Sequence, residues 1–345
     1  MWTLLVIFFI SFSVCYLLSF PVRFLASSLA ILDYPEQRKI HAAPVPSLGG
    51  LALLVAFVAA AIVAAKIYPQ QFFLFRPELE GLVVGAAIVT MLGLWDDVRG
   101  SGAVMELMVQ GAVGVLMYLY GFRIERITMP FEGIMELQWA GLVLTVLWYC
   151  VVMNAMNLID GLDGLAAGIS AIAGVTIFAI SFHWNDPLAA FVALAIVGIS
   201  LGFLPHNFYP ARIFMGDTGS LLLGFLLASL TLITNTKAPA ILTLLVPLVA
   251  LGLPLVDTAY AFLRRCFTGA HPFRADKRHL HHRLLALGFS HKRVVVLLYY
   301  VSGYLGLMAY ILSKVPPGIT LLTVLMLAIG LFLLIENLNF LERQD

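Results

Sequence analysis

Residues 139–164 read WAGLVLTVLWYCVVMNAMNLIDGLDG. The run 139–156 carries no charged side chain, and about 20 apolar residues span the ~30 Å core of a bilayer as a helix. Asn157, Asp160 and Asp163 follow, spaced by three, with Gly161 and Gly164 beside the two acids. That spacing puts the three on one face if the turn is helical. Two carboxylates and an amide oxygen suit a hard divalent ion such as Mg²⁺, and the glycines let a ligand approach the backbone closely. The plainer alternative is a polar helix-to-helix turn, because Asn and Gly are common turn formers. Three unpaired acceptors at a membrane boundary are costly to keep for that purpose alone.

The remainder of the chain repeats the pattern. Of 345 residues, 61% are hydrophobic and 11% charged, whereas a soluble domain carries roughly 25% charged residues. A water-soluble core is therefore excluded. Apolar runs near 2–20, 48–68, 81–95, 103–121, 139–156, 164–182, 187–205, 219–234, 239–263, 294–313 and 319–336 predict an all-α, polytopic membrane helix bundle. The count is about eleven transmembrane helices in one domain over 1–345. The first run lacks a basic flank and a small-residue cleavage site, so it reads as a retained helix. Three scattered cysteines suggest neither a disulfide framework nor a zinc knuckle. The net charge of +1 gives no pointer to nucleic acid.

Basic residues set the expected orientation. Loops 21–47, 96–102, 157–163, 206–218 and 264–293, with the C-terminal tail, hold 14 of the 20 Lys and Arg residues. These loops are expected in the cytoplasm, with the N-terminus outside and the C-terminus cytoplasmic. Asp33, Asp96, Asp97, Asp160, Asp163, Asp217 and Asp276 fall in the same set, as do all histidines except His183. Carboxylates gathered at one membrane face repel each other unless they share a cation.

Four further stretches carry chemistry. Trp95-Asp96-Asp97 ends the third run, and acids at a helix C-terminus oppose its dipole, which argues against a purely structural use. Phe214-Met215-Gly216-Asp217-Thr218-Gly219-Ser220 precedes another run. There Asp217 reads as an N-cap, and free amides at a helix start also attract phosphate. Arg274 to Arg283 contains His279, His281 and His282 among many cations, which repel a metal and welcome a pyrophosphate; zinc ligation and a lipid-binding basic loop are the alternatives. Lys39, in Arg38-Lys39-Ile40-His41, is a candidate phosphate or nucleotide contact. The Pro44 to Gly50 stretch that follows reads as an extended entry into a tightly packed helix. Asp257, inside the ninth run, is expected to pair with an arginine and is left out of catalysis.

Taken in order, five motifs resemble the polyprenyl-phosphate N-acetylhexosamine-1-phosphate transferase family. They are Asp33-x-Pro35-x-x-Arg38-Lys39-x-His41 with its Pro-x-Pro-x-x-Gly-Gly tail, Asp96-Asp97, Asn157-x-x-Asp160-Gly-x-Asp163-Gly, Phe214-Met215-Gly216-Asp217-x-Gly219-Ser220, and His279-Leu280-His281-His282. The separated His-Leu-His-His is similar to the branch that uses UDP-N-acetylglucosamine for O-antigen, common-antigen or teichoic-acid linkage lipids. The peptidoglycan branch, which uses a UDP-N-acetylmuramoyl-pentapeptide, has three consecutive histidines followed by an aromatic and an acid; here Arg283 and Leu284 follow. The family often carries a lysine about nine residues after the aspartate pair, where this chain has Glu106.

The resemblance implies an Mg²⁺-dependent enzyme of the inner (plasma) membrane, with Mn²⁺ able to substitute. Such an enzyme moves N-acetylhexosamine 1-phosphate, here GlcNAc-1-phosphate, from a UDP-sugar to undecaprenyl phosphate on the cytoplasmic face and releases UMP. A homodimer is compatible with it. In the expected division of labour, Asp217, Asn157 and Asp160 hold the metal. Asp96 or Asp97, with Asp160, serves catalysis, and the lipid phosphate attacks in a single displacement; a covalent aspartyl-phosphate is the other route. His279, His281, His282 and Arg283 clamp the pyrophosphate and sugar, Asp163 and Lys39 face the nucleotide, and Phe214 stacks on uracil. Two other classes stand beside this one: a polytopic transporter, which usually places polar groups at the bilayer midplane, and an intramembrane zinc enzyme using the histidines.

Overall fold

The computed structural model describes residues 2–35, 43–67, 69–129, 133–233, 248–267 and 279–315, together with a few positions between 319 and 333. Lys39 and the loop residues Arg274, Asp276, Lys277 and Arg278 lie outside the described residues. In chain order the elements are α1 (Trp2–Ser28), β1 (Leu32–Asp33), β2 (Val45–Pro46), α2 (Gly49–Ile67), α3 (Pro69–Leu74), α4 (Arg76–Arg99), α5 (Ala103–Leu119), β3 (Arg126–Met129) and β4 (Gly133–Glu136). There follow α6 (Trp139–Ile159), α7 (Leu165–His183), α8 (Pro187–Asn207), α9 (Gly216–Ile233), α10 (Gly252–Phe267), α11 (Leu280–Ala286) and α12 (His291–Leu312).

Eight of these helices, α1, α2, α4, α6, α7, α8, α9 and α12, are long and apolar enough to cross a membrane. The chain is a polytopic helical membrane protein. Helix α5 is apolar but 17 residues long. The expected run 239–263 is described only from residue 248, and 319–336 only at scattered positions. Two antiparallel β pairs, Leu32–Pro46 with Asp33–Val45 and Arg126–Glu136 through Met129–Gly133, modify the all-α expectation outside the spans.

Helix α9 is the centre of the bundle, with every residue from Thr218 to Ile233 buried. Between lipid-embedded helices there is no hydrophobic drive to associate, so small residues that let backbones approach, and polar pairs across the interface, decide the packing. A Cβ on Gly50 would run into the backbone of Thr218 and Gly219. One on Gly93 would strike the Asp217 carbonyl and the Thr218 amide. The first turn of α9 is therefore gripped between α2 and α4, backbone against backbone. Polar pairs add to this: Tyr149 Oη and Ser229 Oγ lie 2.9 Å apart, Trp148 Nε1 donates to Thr231 Oγ1 (2.9 Å), and Asn154 Nδ2 donates to Gln110 Oε1 (2.6 Å).

Several helices run further than the hydropathy pattern suggests. Asp96 and Asp97 belong to the last turn of α4, Asn157 to the last turn of α6, and Asp217 to the first turn of α9. The expected loops 96–102, 157–163 and 206–218 are correspondingly shorter, because a helix continues past the apolar run until its last carbonyls find partners. Likewise 21–28 belongs to α1, and 264–293 contains the end of α10, all of α11 and the start of α12.

Candidate active site

The grip of Gly93 on α9 fixes where Asp97 falls, one helical turn later. Asp97 Oδ1 accepts from the Asp217 amide (2.9 Å), and Oδ2 accepts from the Thr218 amide (3.1 Å) and hydroxyl (2.5 Å). An acid at a C-terminus is unfavourable for its own helix; here the orphan amides of a second helix compensate it. Asp97 thus caps α9 in trans. The expected capping role of Asp217 passes to Asp97, and Gly216, at φ +68°, makes room by packing directly on the Asp97 carboxylate.

This capping turns Asp217 toward Asp96 and Asn157, and its carboxyl lies within hydrogen-bonding reach of both. Asn157 Nδ2 also donates to Ser220 Oγ (3.2 Å). Asp160 ends α6. Enclosure first, and then the charges of Asp217, Asp97 and Asp163, hold its carboxyl well above the usual carboxylate range. Asp96, Asp97, Asn157, Asp160 and Asp217 are all half-buried, so the cluster is partly open to solvent and not sealed in the core. Among the described residues, none of these four carboxylates pairs with a lysine, arginine or histidine.

Such a donor set fits a hard divalent ion. It is all oxygen, it is negatively charged, and positive charge would relieve the repulsion that raises Asp160. Among the described residues, no three His, Cys, Asp or Glu side chains form a closed metal cage. Mg²⁺ sites of the usual kind use one or two carboxylates and leave the remaining positions to substrate phosphates and water.

The one-face arrangement of Asn157, Asp160 and Asp163 does not extend to the third residue. Helix α6 stops at Ile159, and the chain turns. Asp163 Oδ2 accepts from the Ala211 amide (2.8 Å), tying down the segment between α8 and α9. Asn207 continues that tie, accepting from the Gly164 amide (3.0 Å) and donating to the Ile213 carbonyl (3.1 Å). Phe214 is held through its backbone: its amide donates to Pro46 O (2.8 Å), and its carbonyl accepts from Gly49 N (2.9 Å). The Pro/Gly entry to α2 therefore carries the Phe214–Met215 segment into the site.

The His-Leu-His-His stretch reaches the same turn from the other side. The His281 ring abuts Gly161, so that a Cβ there would strike Nε2. It lies parallel to His279 (centroids 5.9 Å, planes 6° apart) and packs tilted, at 43°, against His282 (4.3 Å). His279, His281 and Arg283 are buried, and His282 is partly exposed. Burial first, then His282, pushes the His281 imidazole down to about 3. Arg283 lies over the Tyr260 ring at 5.1 Å.

Three contributors, Thr218, Ser220 and Ser101, were not singled out from sequence. Thr218 and Ser220 stand in a quoted motif and are recognisable as polar residues opening an apolar run. Ser101 supplies its amide (2.5 Å) and hydroxyl (2.6 Å) to Asp96 Oδ1, and that hydroxyl is also 2.8 Å from Glu106 Oε1. Glu106 therefore backs Asp96 instead of presenting a cation. Asp257 pairs with His279, at 2.9 Å, and not with an arginine as expected.

Residues 79–235 match the model of glycosyl transferase family 4. The chain is 34% identical to a probable undecaprenyl-phosphate N-acetylglucosaminyl 1-phosphate transferase of Bacillus subtilis (strain 168), over 96% of this chain and 91% of that protein. It is 34% identical to a decaprenyl-phosphate N-acetylglucosaminephosphotransferase of Mycobacterium tuberculosis (strain ATCC 25618 / H37Rv), over 83% and 76%. It is 25% identical to an undecaprenyl-phosphate alpha-N-acetylglucosaminyl 1-phosphate transferase of Escherichia coli (strain K12), over 89% and 84%. With the acid cluster and the histidine stretch at one end of a polytopic bundle, these matches make the chain a member of the polyprenyl-phosphate N-acetylhexosamine-1-phosphate transferases, the membrane glycosyl-1-phosphate transferases of glycosyl transferase family 4.

Proposed function

We propose that this enzyme transfers GlcNAc-1-phosphate from UDP-GlcNAc to undecaprenyl phosphate at the cytoplasmic face of the plasma membrane, starting a cell-surface glycan lipid. The observation that carries the reading is the convergence of Asp96, Asp97, Asn157, Asp160 and Asp217, from three separate parts of the chain, without a basic partner among the described residues. The likeness to N-acetylglucosaminyl 1-phosphate transferases that act on polyprenyl phosphates supports the sugar phosphate and the polyprenyl acceptor. The apolar runs support about eleven spans, and the distribution of Lys and Arg supports a site on the inner side.

Asp217 and Asn157, with Asp160, would hold Mg²⁺; bound there, the ion supplies charge neutralisation for the diphosphate and the departing UMP. Everything else falls to the chain's own groups. Both oxygens of Asp97 are committed to the start of α9, so its part is to hold Asp217 in place. Asp96 is the carboxylate left to orient the lipid phosphate or take its proton. An oxygen of that phosphate then bonds to the β-phosphorus of the UDP-sugar as the bond to the bridging oxygen breaks, and UMP leaves. A lipid phosphate is already a competent nucleophile, so one displacement suffices. His282, the partly exposed histidine of its motif, faces the incoming diphosphate, and Asp163 and Lys39 belong to the nucleotide side.

The test is to incubate purified protein with undecaprenyl phosphate, Mg²⁺ and a panel of UDP-sugars and to measure UMP. The expected result is release with UDP-GlcNAc that depends on the acceptor lipid. Transport of intact UDP-sugar into vesicles, with no UMP formed, would replace this reading with a carrier.

A further inference from the structure

Asp257 sits in α10 with 5% of its surface exposed. An ionised carboxylate so enclosed is expensive unless its oxygens are satisfied. Both are: Oδ2 lies 2.9 Å from His279 Nδ1, and Oδ1 accepts from the Leu280 amide at 2.9 Å. The second contact alone would explain a residue that merely pins the start of α11. The first does more, because a carboxylate on Nδ1 fixes which ring nitrogen carries the proton and how the ring is turned.

The effect of that fixing passes along the histidines. His279 lies parallel to His281, and His281 is pressed against Gly161, the neighbour of Asp160. The protein contacts of the His281 ring are the packing of His279, His282 and Gly161 against it, so the ring follows its neighbours. One turn along α10 from Asp257, Tyr260 receives the Arg283 guanidinium. A single face of α10 therefore grips both ends of the segment 279–283.

We propose that Asp257 is a positioning residue of the transferase reaction: through His279 it sets the histidine stack against the Asp160–Gly161 turn. The inference rests on the reading of that turn as part of the active site.

Asp257→Asn keeps the shape but has one acceptor for two donors, and it turns the His279 ring or exchanges its tautomer. By analogy with carboxylates that orient other functional histidines, kcat should fall on the order of ten- to a hundredfold, with KM for the UDP-sugar changed less than about threefold. In a His279→Ala background, Asp257→Asn should cost less than about twofold more, because coupled residues are not additive. Selective ¹⁵N-histidine labelling of the unmutated enzyme, with the His279 signal assigned by its loss in His279→Ala, should show Nδ1 protonated, a measurement that survives any misfolding of the Asp257 variant. Full turnover of Asp257→Asn, additive losses in the double variant, or a His279 protonated at Nε2 alone each overturn the proposal. If His279→Ala and His281→Ala themselves leave turnover intact, the histidine stretch is outside the site and the wider reading falls with it.

Discussion

Asp97 and Thr218, 121 residues apart, are joined twice: the Thr218 hydroxyl (2.5 Å) and amide (3.1 Å) both donate to Asp97 Oδ2. The contact makes the C-terminus of α4 the cap of α9 and thereby sets the orientation of Asp217. Asp97→Ala should lower stability by about 1 kcal/mol, the usual cost of a lost cap, and should also reduce turnover by disordering Asp217. Thr218→Val removes only the hydroxyl and should cost about 1 kcal/mol with turnover changed only a few-fold. Thermal unfolding of the detergent-solubilised variants, read beside UMP release, checks both. An unshifted unfolding temperature for Asp97→Ala would contradict the cap.

Gly161 is exposed, yet a methyl group there points into the His281 ring. Gly161→Ala should displace a ring that is 2% exposed and has no room to yield. Turnover should fall by about tenfold or more, since small misplacements at a reacting centre are costly. Combining it with His281→Ala, which frees the space, should restore part of the loss. Measuring kcat for the two single variants and the double variant decides this.

His281 gives a pH signature. Its folded value, about 3, lies below the ordinary 6.5, so between those values the unfolded chain binds the extra proton. Stability must then rise with pH across that window, and it is lost as pH falls from 6.5 toward 3. Asp160, raised by burial, acts in the opposite direction, so the comparison has to be differential. His281→Gln should flatten the fall in unfolding temperature between pH 7 and pH 5 relative to the unmutated enzyme. Parallel curves for the two would show that the ring is not kept neutral.

The bundle was legible because hydropathy states it directly: a run such as 139–156 has no other comfortable environment. Helix ends were less legible. Asp96, Asp97 and Asn157 look like loop residues by polarity, but they belong to helices whose final turns extend beyond the apolar stretch. The residue types of the cluster were readable from their motifs, whereas the division of labour between Asp96 and Asp97 was not, because adjacent acids differ only through what they meet across the bundle. Asp257 was misread for the same reason: its partner is the His279 ring, 22 residues away, and nothing local in α10 indicates it. The small β pairs are not legible in the sequence because strands of two and four residues leave too little periodicity to detect.

In the proposed reaction the acid cluster around Asp217 holds one divalent ion against the diphosphate of the donor. Mn²⁺ titration followed by electron paramagnetic resonance, in the presence of UDP, tests it on the unmutated enzyme and on Asp217→Asn. One tightly held ion is expected in the former and loss of that site in the latter, with UMP release falling by more than about tenfold, as when a charge-assisted contact is removed. Equal Mn²⁺ binding by both proteins, or turnover that survives complete chelation of divalent ions, would contradict it.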